Sequence, residues 1–259
     1  MSFTWAASFY SGMSAKSDLR AAINEGVAVG VVATLLDPIK MIRSLPRHLD
    51  DGGLVFIDSG AFAAFQKRDQ VDWKKVFTTY EIVMNQTHKP SGLSIVAPDV
   101  IGDQLETLAL WELHAKRVAK WIDNGARVIV PLQRGKLSAG AMLEHAKRIF
   151  GTDRFCAGIP SNLEAMSAED CLTLHHHDFH VLGRVVLTAE LRTKLDALIA
   201  NNPDANYTSD ANWMRSRMRK ISAAMRGFRG QEYRNPHDTP RMWAVMEVLR
   251  NDPYKSAQA

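Results

Sequence analysis

Short apolar runs rich in β-branched residues recur along the chain, and between them apolar positions return at helical spacing. The pattern predicts strands at Phe3–Phe9, Val27–Ala33, Leu54–Asp58, Ser94–Pro98, Arg127–Pro131, Phe155–Ile159, Phe179–Gly183 and Asn206–Asp210. Helices are predicted at Ala15–Asn24, Pro38–His48, Trp73–Asn85, Gln104–Asn124, Ala139–Phe150, Leu163–Leu174 and Ala189–Ala200, then around Asn212–Arg226 and near Thr239–Leu249. Runs such as Val27–Val32 and Val128–Val130 are almost wholly apolar, as a parallel sheet covered on both faces requires. Strands that each lead into a helix predict an α/β fold, a single-domain (β/α)8 barrel of the TIM type over residues 1–250, with a polar tail at 251–259. An open sheet of roughly six or seven strands is the alternative topology.

Composition narrows the classes. The chain of 259 residues suits one barrel, and 46% hydrophobic with 23% charged residues is ordinary for a globular protein. No apolar run is long enough for a membrane span and no signal-peptide pattern opens the chain, so a cytoplasmic protein without a membrane partner is expected. The two cysteines, Cys156 and Cys171, form no CxxC pair, which excludes a zinc knuckle or a disulfide framework. His175-His176-His177 places consecutive rings in different directions and reads as a solvent-facing helix end, so no metal site and no cofactor is expected. The net charge of +4 is modest, but Arg215, Arg217, Arg219, Lys220, Arg226 and Arg229 cluster within the basic C-terminal helical segment, 212–250. Such a cluster either neutralises nucleic-acid phosphates or is a solvated helix face.

Polar residues gather at the predicted C-terminal strand ends, where barrel enzymes carry their sites. Asp58 ends Val55-Phe56-Ile57, Asp99 follows Ile95-Val96-Ala97-Pro98 with Asp103 beyond it, Gln133 follows Val128–Leu132, and Asp210 ends the eighth strand. Gly158 and Gly183 mark two further strand ends, where glycine serves a turn or admits a flat ligand. Any one such acid reads as a helix cap; recurrence at one barrel edge points to a shared acid–base site. Phe62, Phe65, Tyr207 and Trp213 flank these acids and either stack on a base or pack the rim.

Asp58-Ser59-Gly60-Ala61-Phe62 resembles the Asp-Ser-Gly-Gly-Phe segment of the tRNA-guanine transglycosylases, and is more similar to the DpdA-type 7-deazaguanine DNA transglycosylases. The order Asp58, Asp99, Gln133, Gly158, Leu182-Gly183, Asp210 resembles that superfamily's order of site segments. The resemblance implies a glycosyltransferase (pentosyltransferase) that exchanges a guanine-type base in DNA, with RNA second, for a free 7-deazaguanine-type base. It implies Asp210 as the nucleophile at the sugar and Asp58 as general acid–base. Ser59, Phe62, Asp99, Gln133, Gly158, Leu182 and Gly183 would bind the base, and the basic cluster the polymer. The chain departs from the tRNA enzymes in lacking a Cys/His zinc subdomain after the barrel, which puts tRNA itself in question. Two alternatives stay open: a hydrolase or deoxyribosyltransferase acting on free nucleosides or nucleotides, and a non-catalytic barrel that binds a nucleobase or nucleic acid.

Overall fold

The computed structural model describes residues 8–37, 43–162, 164–183, 188–211 and 239–250. Eight parallel strands close in sequence order: β1 (Phe9–Tyr10), β2 (Val29–Val32), β3 (Val55–Asp58), β4 (Leu93–Val96), β5 (Arg127–Pro131), β6 (Cys156–Pro160), β7 (Asp178–Leu182) and β8 (Asn206–Ala211). Closure is made where β1 pairs with β8, Phe9 opposite Asp210 and Tyr10 opposite Ala211. The open-sheet alternative is thereby excluded. Helices α1 (Lys16–Asn24), α2 (Ser44–Asp50), α3 (Ala61–Lys67), α4 (Trp73–Gln86), α5 (Gln104–Asp123), α6 (Ala139–Phe150), α7 (Ala168–Leu172) and α8 (Ala189–Asn201) alternate with the strands, and α9 (Pro240–Arg250) follows β8.

Strand parity sorts the side chains. Val55 and Ile57 join the large core between sheet and helices, in which Trp111 and Trp121 are also buried, while Phe56 between them joins a smaller cluster with Phe9, Val96, Ile129 and Cys156. Alternate residues of barrel strands point inward, so this second cluster is the barrel interior. Below it, at the N-terminal strand ends, Arg127 makes a two-pronged ion pair with Asp178, Nε to Oδ2 and Nη2 to Oδ1 both at 2.7 Å. Asn206 Nδ2 donates to the same carboxylate at 2.9 Å. The interior is polar at its base, apolar at its middle, and polar again at its C-terminal mouth.

The predicted β5 and α6 agree with the structure end to end, and β2, β3, β4, β6, β7 and β8 differ by one or two residues at their ends. Two differences are larger. The predicted helix Leu163–Leu174 contracts to α7 at Ala168–Leu172, because Ser167 caps it with a reciprocal capping box to Asp170. Helix α3 was not predicted; it starts directly after Gly60, whose φ of 85° turns the chain out of β3. The predicted Asn212–Arg226 helix and the tail at 251–259 lie outside the described residues, as does most of the predicted first strand.

Helix α9 lies against α1 and ties the C-terminal end of the chain to the first βα unit. Asp18 of α1, 1% exposed, accepts from Arg241 Nε and Nη2, both at 2.6 Å, and Glu25 pairs with Arg250 at 2.8 Å. Removing Arg241 strands a buried carboxylate whose other recorded partner is the Ser17 hydroxyl at 3.2 Å. Arg241→Ala is expected to lower stability by about 2–3 kcal/mol, or roughly 5–10 °C in Tm. Arg241→Lys should restore only part of this, because an ammonium cannot form the two-pronged pair. A thermal melt showing no loss for Arg241→Ala would contradict the role of this closure.

Candidate active site

Asp58 shares the parity of Phe56 and therefore faces the barrel interior at the C-terminal mouth. Its Oδ1 accepts from Gly60 N at 3.1 Å, while Ser59, 1% exposed, accepts from Ala61 N through Oγ at 3.2 Å. On the neighbouring strand end, Asp99 is 4% exposed and accepts from Gln133 Nε2 through Oδ2 at 2.8 Å. Gly102 N donates to Gln133 Oε1 at 2.9 Å, which fixes the amide so that its NH₂ faces Asp99. Across the mouth, Asp210 Oδ2 accepts from Ser11 Oγ at 2.8 Å and Oδ1 from Gly183 N at 3.3 Å. His180 Nε2 lies 3.5 Å from that Oδ1, beneath it.

Asp210 acts electrostatically on Asp58, and Asp58 on Asp99. Burial raises Asp99 to about 7; nearby Asp58 pushes it the same way and the Gln133 hydrogen bond opposes. Burial likewise raises Asp58 to about 6, opposed by the Gly60 N–H and reinforced by the charge of Asp210. Tyr80 of α4 is fully buried, and burial, with Asp58 and Asp99 adding to it, holds its phenol well above the ordinary range. Asp58 thus sits electrostatically between the other two acids. Carboxyls brought to this range exchange protons at neutral pH, as general acid–base chemistry requires.

The expected site residues divide. Asp58, Asp99, Gln133, Gly183 and Asp210 come together at the mouth, linked by the contacts above. Leu182 packs on the interior cluster beneath them. Gly158 is explained by packing, since a Cβ there would stand 2.9 Å from Leu182 Cδ1 and 3.0 Å from Ile129 Cγ2. Ser59 spends its hydroxyl in the turn. Phe62 and Phe65 project from α3, each 56% exposed. Tyr207 takes the packing alternative: it faces outward against the main core, donating its hydroxyl to Asn202 O at 2.9 Å and stacking on Phe179. Asp103 caps α5 through Glu106 N at 3.0 Å. The histidine run precedes β7 rather than ending a helix; His175 and His177 are exposed as expected, but His176 is buried with Nε2 2.7 Å from Phe155 O, which corrects the solvent-facing reading for that residue. Trp213 and the cluster Arg215, Arg217, Arg219, Lys220, Arg226 and Arg229 lie outside the described residues.

Sequence reasoning missed Ser11, Tyr80 and His180. A signal for His180 was present: Asp178-Phe179-His180 alternates polar and apolar where a buried parallel strand is expected to be apolar throughout. Among the described residues, no group of three or more His, Cys, Asp or Glu side chains is arranged to hold a metal ion, and no helix is long and apolar enough to cross a membrane.

No protein-family model and no curated protein sequence matches the chain. Solved structures do match in fold. A candidate fructose-1,6-biphosphate aldolase from Coccidioides immitis is 12% identical, with a TM-score of 0.51 over 94% of this chain and 90% of that one. An L-ribulose 3-epimerase is 14% identical, with a TM-score of 0.51 over 96% of this chain and 93% of that one. A D-allulose 3-epimerase from Methylomonas is 10% identical, with a TM-score of 0.48 over 96% and 97%.

These findings correct the expected kinship. The two barrels with TM-scores of 0.51 are named for small sugars, and neither for base exchange, a nucleobase or a nucleic acid. Membership of the transglycosylase superfamily, pentosyl transfer, 7-deazaguanine insertion and DNA or RNA as partners are withdrawn, and the nucleoside-level and nucleobase-binding alternatives gain no support. The physical reason lies in the motif that carried the resemblance: Asp58-Ser59-Gly60-Ala61 is a turn held by its own side chains, with Gly60 at φ 85°. Turn chemistry of that kind serves any strand leading into a helix.

Asp58 and Asp99 hold their protons in the fold to a higher pH than the ordinary 3.8. The stability they contribute is full below about 4 and is lost as pH rises through about 6 and about 7. Asp99→Asn keeps an acceptor for Gln133 and removes the buried charge. Its Tm is expected to match that of the wild type near pH 4 and to exceed it at pH 8 by roughly 4–8 °C, on the order of 2 kcal/mol. Parallel melting curves with no gap opening between the two pH values would count against the raised carboxyl.

Proposed function

We propose that this barrel is an enzyme that moves protons on a small, sugar-like substrate, a polyhydroxylated carbonyl compound bound at the C-terminal mouth. One observation carries the reading: Asp58 and Asp99, at the ends of paired strands β3 and β4, are neighbouring carboxyls raised to about 6 and about 7. A base takes a proton from carbon beside a carbonyl most efficiently when its pKa lies near the working pH, and an acid of similar strength must protonate the carbonyl oxygen. The coupled pair supplies both. One carboxylate accepts the carbon-bound proton while the other carboxylic acid donates to the oxygen, giving an enediol; return of a proton to the same or the adjacent carbon gives an epimer or an isomer. Asp210, oriented by Ser11 and Gly183, accepts from substrate hydroxyls in this reading.

The electrostatics favour a neutral polyol over a polyanion. Three carboxyls at one mouth repel phosphodiesters and supply acceptors for hydroxyl groups. The L-ribulose named for one barrel with a TM-score of 0.51 is a neutral sugar of this class, whereas the fructose-1,6-biphosphate named for the other is a polyanion.

Incubation in D₂O with a panel of aldoses and ketoses, followed by proton NMR, tests the reading. Deuterium is expected at the carbon beside the carbonyl of at least one sugar, fastest between pH values of about 6 and about 7. Asp58→Asn and Asp99→Asn should each slow this exchange by about 10²–10⁴-fold. Absence of exchange across the panel, or undiminished exchange in both variants, would overturn it.

A further inference from the structure

A polar chain runs through the barrel from its base to Asp210, and its polarity can be worked out atom by atom. Arg127, held by Asp178, also donates through Nη2 to Thr208 Oγ1 at 2.8 Å. A guanidinium has no acceptor, so Thr208 receives this bond and has one proton of its own to give. That proton has two possible destinations: His180 Nδ1 at 2.8 Å and Phe179 O at 3.3 Å. Nη2 has two hydrogens, and its two shortest contacts, Asp178 Oδ1 at 2.7 Å and Thr208 Oγ1, take them ahead of Cys156 Sγ at 3.0 Å and Phe179 O at 3.4 Å. The shorter contact therefore takes the Thr208 proton, and Nδ1 of the imidazole is the acceptor. A neutral ring that accepts at Nδ1 carries its hydrogen at Nε2.

His180 has no exposed surface, and its side chain is fixed between Phe56, with ring centroids 5.1 Å apart, and Phe9 at 6.1 Å. Its Nε2 is buried without a formed hydrogen bond, and the facing group is Asp210 Oδ1 at 3.5 Å. A buried donor left unmade is costly, and a carboxylate oxygen within a few tenths of an ångström of bonding distance is the partner that resolves it. Site hydrogen bonds of this length shorten when a ligand settles the groups around them.

We propose that His180 is a positioning residue for Asp210: Arg127 and Thr208 hold the imidazole in its Nε2–H form and aim that hydrogen at Asp210 Oδ1 from inside the barrel. Asp210 then receives donors from three directions, Ser11 and Gly183 at the mouth and His180 below, which orients its carboxylate toward the substrate side. The inference rests on the reading of Asp210 as a substrate-binding group for its meaning, but not for its test, because a tautomer is read without substrate.

In ¹⁵N-labelled protein, long-range proton–nitrogen correlation spectra at neutral pH are expected to show His180 as a single Nε2–H tautomer. Thr208→Val removes the hydroxyl at nearly constant shape and should abolish that single form, giving the Nδ1–H tautomer or a mixture. Thr208→Ser should retain it, and Asp210→Ala should shift the Nε2 resonance. An Nδ1–H or doubly protonated ring in the wild type overturns the proposal, as does an unchanged spectrum in Thr208→Val. Should Thr208→Val fail to fold, the wild-type and Thr208→Ser spectra decide the matter. Failure of deuterium exchange with the spectra as expected would remove the sugar reading and leave the relay standing.

Discussion

Closing eight parallel strands leaves an interior in which every inward-facing side chain meets its counterparts from across the barrel, with no water to substitute for a missing partner. The inward positions of this chain must therefore be satisfied among themselves. Arg127, Asp178 and Asn206 do most of this at the base, where Thr208 and Asn206 add hydrogen bonds to the ion pair and Arg127 Nη1 is left without a partner among the described residues. Phe9, Phe56, Val96, Ile129 and Cys156 fill the middle. Only at the mouth does the interior carry more acid than its surroundings neutralise, and there the excess appears as raised carboxyls.

That excess is a local cost to the fold. A carboxylate removed from water without a cation resists ionisation, and among the described residues neither Asp58 nor Asp99 has an arginine or lysine partner. Arg127 shows that the barrel can pair a buried acid when the acid serves structure alone. Leaving Asp58 and Asp99 without a cation among the described residues stores unfavourable free energy at the C-terminal mouth. Sites that do chemistry are where such local conflicts are retained. The proposed proton transfer follows from this imbalance rather than from any short sequence motif.

The barrel was legible because its signal is repeated: each strand and helix is a separate occurrence of the same periodicity, and Arg127–Pro131 and Ala139–Phe150 are recovered at both ends. Asp58, Asp99 and Asp210 were legible for a related reason, since a polar residue at the end of an apolar strand can be read locally. Helix α3 was hidden because a seven-residue helix after Gly60 has too few turns to display a period. Tyr80 and Ser11 lie on other elements, and only barrel closure brings them to the acids. His180 is the instructive case: strand parity placed it inward beside Asp178, but a continuous reading of the run as buried passed over the alternation.

The misleading signal was the most specific one. A five-residue string invites comparison by likeness, yet Asp58 and Ser59 bond to Gly60 N and Ala61 N, and so explain the string by geometry alone. What distinguishes Asp58 from a turn residue is its inward parity at the mouth, where Asp210 acts on it and it acts on Asp99. A strand-end aspartate serves the turn and the mouth at once, and only the second role depends on residues far away in the chain. The proposed chemistry therefore depends on the inward face shared by β3, β4, β7 and β8, and a substitution at Thr208, distant from the motif, tests that shared face more directly than any change within the motif itself.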